Sequence, residues 1–393
     1  MSQQPDHSNL DIMTRLAHEG RHPDQQFGFV NPPVIHGSTV LYPDLETMQA
    51  GGQPYTYGRR GNPTSRSLEE ALTELEGGAG SVLLPSGLAA CSTALLSVLN
   101  SGDHLLMIDS VYEPVRHLCD TVLVRMGITT TYYDPLIGAD ISSLITPQTR
   151  AIYVEAPGSL TFEMPDIAAI VAAAKTAGLR LLMDNTWATP VFFRPLDHGF
   201  DLSISAGTKY LVGHSDAIFG SVTANAEAFG PLKETHGSLG LCASPDDIFL
   251  ALRGLRTLGV RLQRHQDSAL KVARWLTGRP EVKRVLHPAL PGHPGHALWA
   301  RDFTGSSGLF SFVTEEAPFA AVKALLNGLK LFGLGYSWGG FESLAILSKP
   351  ARIRTASEWT EKGHLIRLHI GLEDAGDLIA DLEAGLDRFS AAT

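Results

Sequence analysis

From about residue 64 onward, short apolar runs alternate with helix-like stretches, and this rhythm constrains the fold more than any other feature of the chain. Runs of strand length occur at 81–84, 104–108, 129–133, 151–154, 180–183, 202–205 and 218–223, each closed by a polar or Gly/Pro break. Strands interleaved with helices are the pattern of an α/β domain built on a mainly parallel sheet. One crossover helix carries its own signals: Asp166 stands as an N-cap before the Ala-rich run 167–174, and Gly178 as a stop.

A chain of 393 residues is longer than one ordinary domain of about 100–200 residues, so a large domain with a smaller partner is expected. An apolar share of 44% with 18% charged residues is enough to bury a sizeable core. The pattern lengthens into a long helical stretch at 251–264, and a Pro/Gly/His-rich segment follows residue 282. These changes divide the chain into a sheet domain at 61–255 and a C-terminal domain at 256–393. Residues 1–60 hold Pro32, Pro33, Pro43 and Pro54 with little periodicity, and read as an extended arm that needs a surface to lie on.

The formal charge of −10 disfavours attraction to nucleic acid or an anionic membrane, which leaves a small molecule as the expected ligand. Cys91, Cys119 and Cys242 are far apart and form no CxxC, arguing against a disulfide framework or a thiolate metal site. The polar N-terminus lacks an apolar signal core, and no apolar run reaches about 18 residues, so the cytoplasm is the expected compartment.

Three strand ends hold residues with chemistry. The run 180–183 ends in Asp184, and the carboxyl ends of strands in open α/β sheets line the ligand crevice. The next run ends in Thr208-Lys209-Tyr210; a lysine there can lose its proton on desolvation and attack an aldehyde. An acid and a lysine on consecutive strand ends are what a pyridine aldehyde cofactor needs, one facing the ring nitrogen and the other the aldehyde. Pro85-Ser86-Gly87-Leu88-Ala89-Ala90 opens a helix pattern with small residues, which offers free N–H groups to a phosphate.

Five stretches in this order resemble the Cys/Met-metabolism PLP-dependent family over nearly the whole chain. They are Tyr57-Gly58-Arg59-Arg60-Gly61-Asn62-Pro63-Thr64, Leu75-Glu76-Gly77-Gly78, the turn at 85–90, Asp184-Asn185-Thr186 and the run from Ser205 to Lys209. Within the family, 134–141, 209–216, 336–343 and 365–374 look like the bacterial β-lyase subgroup. The resemblance implies a fold type I (aspartate aminotransferase-like) architecture, pyridoxal 5′-phosphate as cofactor, and β-elimination at a carbon–sulfur bond of L-cystathionine in methionine biosynthesis. It further implies a homotetramer, a dimer of dimers with shared sites, and relatives that act on γ-carbon bonds.

The roles it implies fall on named positions. Lys209 would form the Schiff base, Asp184 would partner the ring nitrogen, and Tyr112 would lie on the ring, although its residue type alone fits a packed core tyrosine as well. Gly87 and Leu88 would give N–H groups to the phosphate, with the Thr208 hydroxyl; Tyr57 and Arg59 would reach it from a neighbouring subunit. Arg367, a planar guanidinium suited to a carboxylate, would hold the substrate near Ser337 and Trp338. Two departures stand out: Ala206 where relatives often have serine, and Ser159 where many have asparagine.

Other readings compete. Gly335-Tyr336-Ser337-Trp338-Gly339 matches the GxSxG hydrolase elbow, but too little chain follows to carry the acid and histidine. His287, His293 and His296 could be metal ligands, though Pro288, Pro291 and Pro294 read as a loop, and no metal is expected. A non-catalytic cofactor-binding regulator on the same fold is the remaining rival.

Overall fold

A computed structural model describes residue 7 and residues 9–393. Seven strands form the large sheet: β1 (Gly80–Leu84), β2 (His104–Ile108), β3 (Thr129–Tyr133), β4 (Thr149–Glu155), β5 (Arg180–Asp184), β6 (Leu202–Ser205) and β7 (Gly220–Ala224). Their order is β1-β7-β6-β5-β4-β2-β3. The neighbours from β6 to β3 are parallel, and β7 runs antiparallel to both β6 and β1. The mostly parallel α/β sheet expected from the sequence is therefore present. Strands β1, β2, β6 and β7 are buried throughout; β2 reads as a near-continuous apolar run, whereas β6 and β7 bury small hydroxyl residues among the apolar ones.

The crossover helix Ile167–Ala177 forms as its signals direct: the Asp166 carboxylate accepts from Ala169 N–H at 3.3 Å, and Gly178 ends it at φ +67°. Four more strands, β8 (Val282–Leu286), β9 (Leu309–Thr314), β10 (Leu344–Ser348) and β11 (Leu365–His369), make an antiparallel sheet in the order β10-β11-β9-β8. Helices Leu258–Leu276, Phe319–Asn327 and Ala375–Ala391 close a second apolar core over it, around Phe310, Phe312, Leu325 and Leu382.

The arm departs from expectation. Residues 1–6 and 8 lie outside the described residues, but the remainder is not extended throughout. Helix Ile12–His18 is capped by Asp11, and its Leu16 is buried among Leu68, Leu72 and Leu75. Arg256 clamps it by donating to the carbonyls of Leu16 and Glu19 at 2.8 and 2.9 Å. A second short helix spans Leu45–Ala50. Helices of two turns owe their stability to docking rather than to propensity, so their periodicity in sequence is too short to see. The histidine-rich stretch is a loop whose imidazoles cap its own turns: His287 accepts from Ala289 N–H and His293 from Gly295 N–H.

Phe312 is fully buried at the centre of the second core. Phe312→Ala should cost about 3–5 kcal/mol in equilibrium denaturation; a loss under about 1 kcal/mol would show that the second core tolerates the cavity.

Candidate functional site

The carboxyl ends of β2, β4, β5 and β6 open on one edge of the large sheet, and the β11 face of the small sheet meets them there. Parallel register sets Glu155 of β4 beside Asp184 of β5, and Asp184 beside Ile204 of β6. The Asp184 Oδ1 accepts from Thr186 N–H at 3.0 Å and from the Thr186 hydroxyl at 2.5 Å. Its Oδ2 faces the Cys91 thiol at 3.9 Å, and the Tyr153 hydroxyl also supports the carboxylate. Burial raises its pKa, and a cationic N–H beside it would relieve that penalty.

Lys209 lies just beyond β6. Its Nζ donates to the Ser337 hydroxyl at 2.9 Å and sits 5.2 Å from the Trp338 ring centre. Desolvation, reinforced by the Arg367 charge, brings the amine down to about 8, against the opposing pull of Asp184. Arg367, in β11, spends hydrogen bonds on the carbonyls of Tyr336 and Ser337, at 2.6 and 3.3 Å. Among the described residues it has no carboxylate within ion-pair distance, and burial lowers it to about 10. A half-buried guanidinium without an acid is a seat for an external carboxylate.

Tyr112 is 47% exposed, which removes the packed-core reading. Its turn is held from below: the Glu155 carboxylate accepts Tyr112 N–H at 2.8 Å, and Ser159 N–H donates to the Ser110 carbonyl at 2.8 Å. A Cβ on Gly158 would come within 2.4 Å of the Ser110 hydroxyl, so glycine is what lets the two turns close. Sequence reasoning missed Glu155, although an acid ending a buried strand beside Asp184 was a visible signal. Burial drives its pKa well up, with the Asp184 charge adding to the effect.

Gly87 and Leu88 begin helix Gly87–Val98, capped by the Ser86 hydroxyl accepting from Ala89 N–H at 3.1 Å. First-turn N–H groups have no intrahelical acceptor, which leaves those of Gly87 and Leu88 for an anion. A Cβ on Gly87 would stand 2.4 Å from that of Ala206, so the helix start meets the strand end directly, and Ala206 is the small residue that permits it. Thr208 differs from expectation: its hydroxyl donates to the Phe219 carbonyl and accepts from Phe219 N–H, so its proton is already committed. Tyr57 and Arg59 stand apart from this group; Arg59 donates to the Gly237 carbonyl at 2.9 Å and lines a cavity with Glu69, Lys233 and His236. Ser337 lies in the loop between helix Phe319–Asn327 and β10, not at a strand-to-helix elbow, which counts against the hydrolase reading.

A buried acid at a strand end, a desolvated amine and a helix start opened by Gly87 fit the ring nitrogen, aldehyde and phosphate of pyridoxal phosphate. The sequence profile for Cys/Met metabolism PLP-dependent enzymes matches residues 13–387. The chain belongs to that family. A putative cystathionine beta-lyase of Rhizobium johnstonii is 54% identical, with 98% of each chain covered. The cystathionine beta-lyase of Salmonella typhimurium is 46% identical over 97% of this chain and 99% of its own. Among solved structures, the cystathionine gamma synthase of Xanthomonas oryzae pv. oryzae, in complex with aminoacrylate and cysteine, superposes with a TM-score of 0.91. It is 36% identical over 98% of this chain and 99% of that one. The family expected from the motifs is the family found, and the enzyme is PLP-dependent.

Only a neutral amine attacks an aldehyde, and the neutral fraction at Lys209 grows as pH rises through its pKa. Capture of pyridoxal phosphate by the cofactor-free protein should therefore accelerate with pH and level off just above about 8, as stopped-flow absorbance would record. A rise continuing toward the 10.5 of an ordinary lysine would contradict the desolvated site.

Proposed function

We propose that this enzyme cleaves L-cystathionine and water to homocysteine, pyruvate and ammonia by β-elimination, a carbon–sulfur lyase step on the way to methionine. The observation that carries the reading is the pairing of Lys209 and Asp184 at strand ends opposite Arg367, a guanidinium without an acidic partner. The two relatives named as cystathionine beta-lyases support the choice of substrate. Related S-substituted cysteines offer the same carboxylate, amine and Cβ–S bond and fall within the same reading.

Arg367 takes the α-carboxylate with two parallel N–H donors, which fixes the substrate's orientation as well as its charge. Asp184 would keep a proton on the ring nitrogen, and Gly87 and Leu88 would hold the phosphate through their N–H groups. Tyr112 would lie on the ring and shield it from water. When bound, the cofactor supplies an electron sink for the charge that develops at Cα. Lys209, its amine free and about half neutral near pH 8, removes the Cα proton, while the Ser337 hydroxyl accepts a hydrogen bond from its Nζ and keeps it aimed. The Cβ–S bond breaks as its electron pair leaves on sulfur, and Lys209 or Tyr112 returns a proton to the thiolate.

The active unit in this reading is at least a dimer, and a dimer of dimers with cytoplasmic residence is proposed with it. Tyr57 and Arg59 lie away from their own Lys209, where they can serve a neighbour's phosphate. Phe27, Phe29, Val30, Leu41 and Leu45 are 98%, 71%, 58%, 85% and 62% exposed in the single chain, an apolar arm that a second copy would cover.

Cystathionine supplied to the purified enzyme should give pyruvate. Predominant 2-oxobutyrate would mean γ-elimination and overturn the assignment. Arg367→Ala should lower kcat/KM at least about 30-fold, mostly through KM, as loss of a charged hydrogen-bond pair requires.

A further inference from the structure

Asp109, one residue past β2, is fully buried, and a short stretch of chain that leads into the small sheet supplies most of its hydrogen bonds. Thr355 N–H donates to its Oδ1 at 3.1 Å; Ala356 N–H, Ser357 N–H and the Ser357 hydroxyl donate to its Oδ2 at 3.1, 2.8 and 2.7 Å. Arg116 completes the shell through an ion pair with Oδ1. Burial pushes the carboxyl up, but these donors outweigh it and hold its pKa below the ordinary value. Were 355–357 to lift away, a buried charge would lose the groups that solvate it, so the contact is costly to break.

A second anchor stands beside the first. The Arg354 side chain is 5% exposed and donates to both oxygens of the Glu163 carboxylate, at 2.8 and 3.1 Å, and to the Thr161 hydroxyl as well. Both anchors sit on segments that seat Tyr112. The Arg116–Asp109 pair closes the base of the turn that carries Tyr112, and the Arg116 guanidinium lies 3.5 Å from the Tyr132 ring centre. Glu163 belongs to the turn at 158–163: its carbonyl accepts Gly158 N–H at 2.9 Å, next to the Ser159 bond to Ser110.

The stretch 349–364 joins β10 to β11, and its far half is held by the small sheet. Glu361 pairs with Lys283 and Arg284 of β8 at 2.8 and 3.0 Å, and Arg284 lies over the Trp359 ring at 5.6 Å. One half of the stretch is therefore tied to the edge of the large sheet and the other to β8, and β11 with Arg367 follows directly. Burial raises the Tyr112 phenol and lowers Arg367, and the charge of each opposes the shift of the other, as expected of groups across one cleft.

We propose that residues 349–364 form a strap between the two sheets, and that Asp109 and Arg354 are positioning residues that use it to set the distance between Tyr112 and Arg367. The inference rests on the reading of Tyr112 as the cover of the ring and Arg367 as the carboxylate seat.

Hydrogen exchange of the loaded enzyme, read by mass spectrometry, tests the strap without reference to turnover. The amides of 355–357 should be protected in the parent and exchange at least about tenfold faster in Asp109→Asn. Free-peptide exchange in the parent, or no acceleration in the variant, overturns the anchor. Arg354→Met leaves Asp109 and Arg116 paired, and carries the test if Asp109→Asn does not fold. It should raise KM for cystathionine at least about fivefold, with kcat within about threefold and the cofactor's visible absorption intact. In a Glu163→Ala background the same change should alter KM less than about twofold, because the pair is already broken. An Arg354→Met enzyme with the parent KM, or an equal effect with and without Glu163, overturns the positioning role. Arg367→Ala with the parent KM would instead sink the reading of the carboxylate seat, and the positioning role with it, whereas the exchange measurement reports on the strap alone.

Discussion

Everything at the strand edge depends on an amine taken partly out of water beside a guanidinium that has no acid of its own. Desolvation and the Arg367 charge both disfavour the protonated form of Lys209, and the hydroxyl of Ser337 gives its Nζ direction without adding negative charge. Asp184, whose charge pulls the other way on Lys209, is tied by Thr186 at one oxygen and faces the Cys91 thiol at the other. Two cationic groups facing each other across a cleft are costly until a carboxylate and a phosphate-bearing aldehyde arrive. The site is thus built for ligands that complete its charge.

Close backbone approaches bring these groups together. Gly87 against Ala206 joins the start of helix Gly87–Val98 to the strand end before Lys209, Gly158 against Ser110 seats the turn carrying Tyr112, and Gly339 lies on the lysine's own backbone. The first two contacts tie elements within the large domain, and the third brings in the small one. The small domain also reaches across through the Trp187 indole N–H to the Leu309 carbonyl at 2.9 Å and through the Ser311 hydroxyl to the Leu160 carbonyl at 2.7 Å.

The large sheet was legible because its central strands, buried on both faces, read as short apolar runs between helix patterns. Asp184 and Lys209, each of which alone fits a turn acid or a solvated lysine, were legible because they follow consecutive strand runs together with the turn at 85–90. The folded segments of the arm were not, since Ile12–His18 gains its order from Leu16 entering a groove formed far away in sequence. The commitment of the Thr208 hydroxyl to Phe219 and the support of Tyr112 by Glu155 are likewise long-range pairings that no local pattern announces.

The central claim is that Lys209 is the residue that binds the cofactor covalently. Borohydride reduction of the loaded enzyme, followed by proteolysis and mass spectrometry, tests it most directly. A phosphopyridoxyl group on the peptide at Lys209, and no labelling in Lys209→Ala, is the predicted result; the same group found on any other lysine of the untouched enzyme would contradict the account.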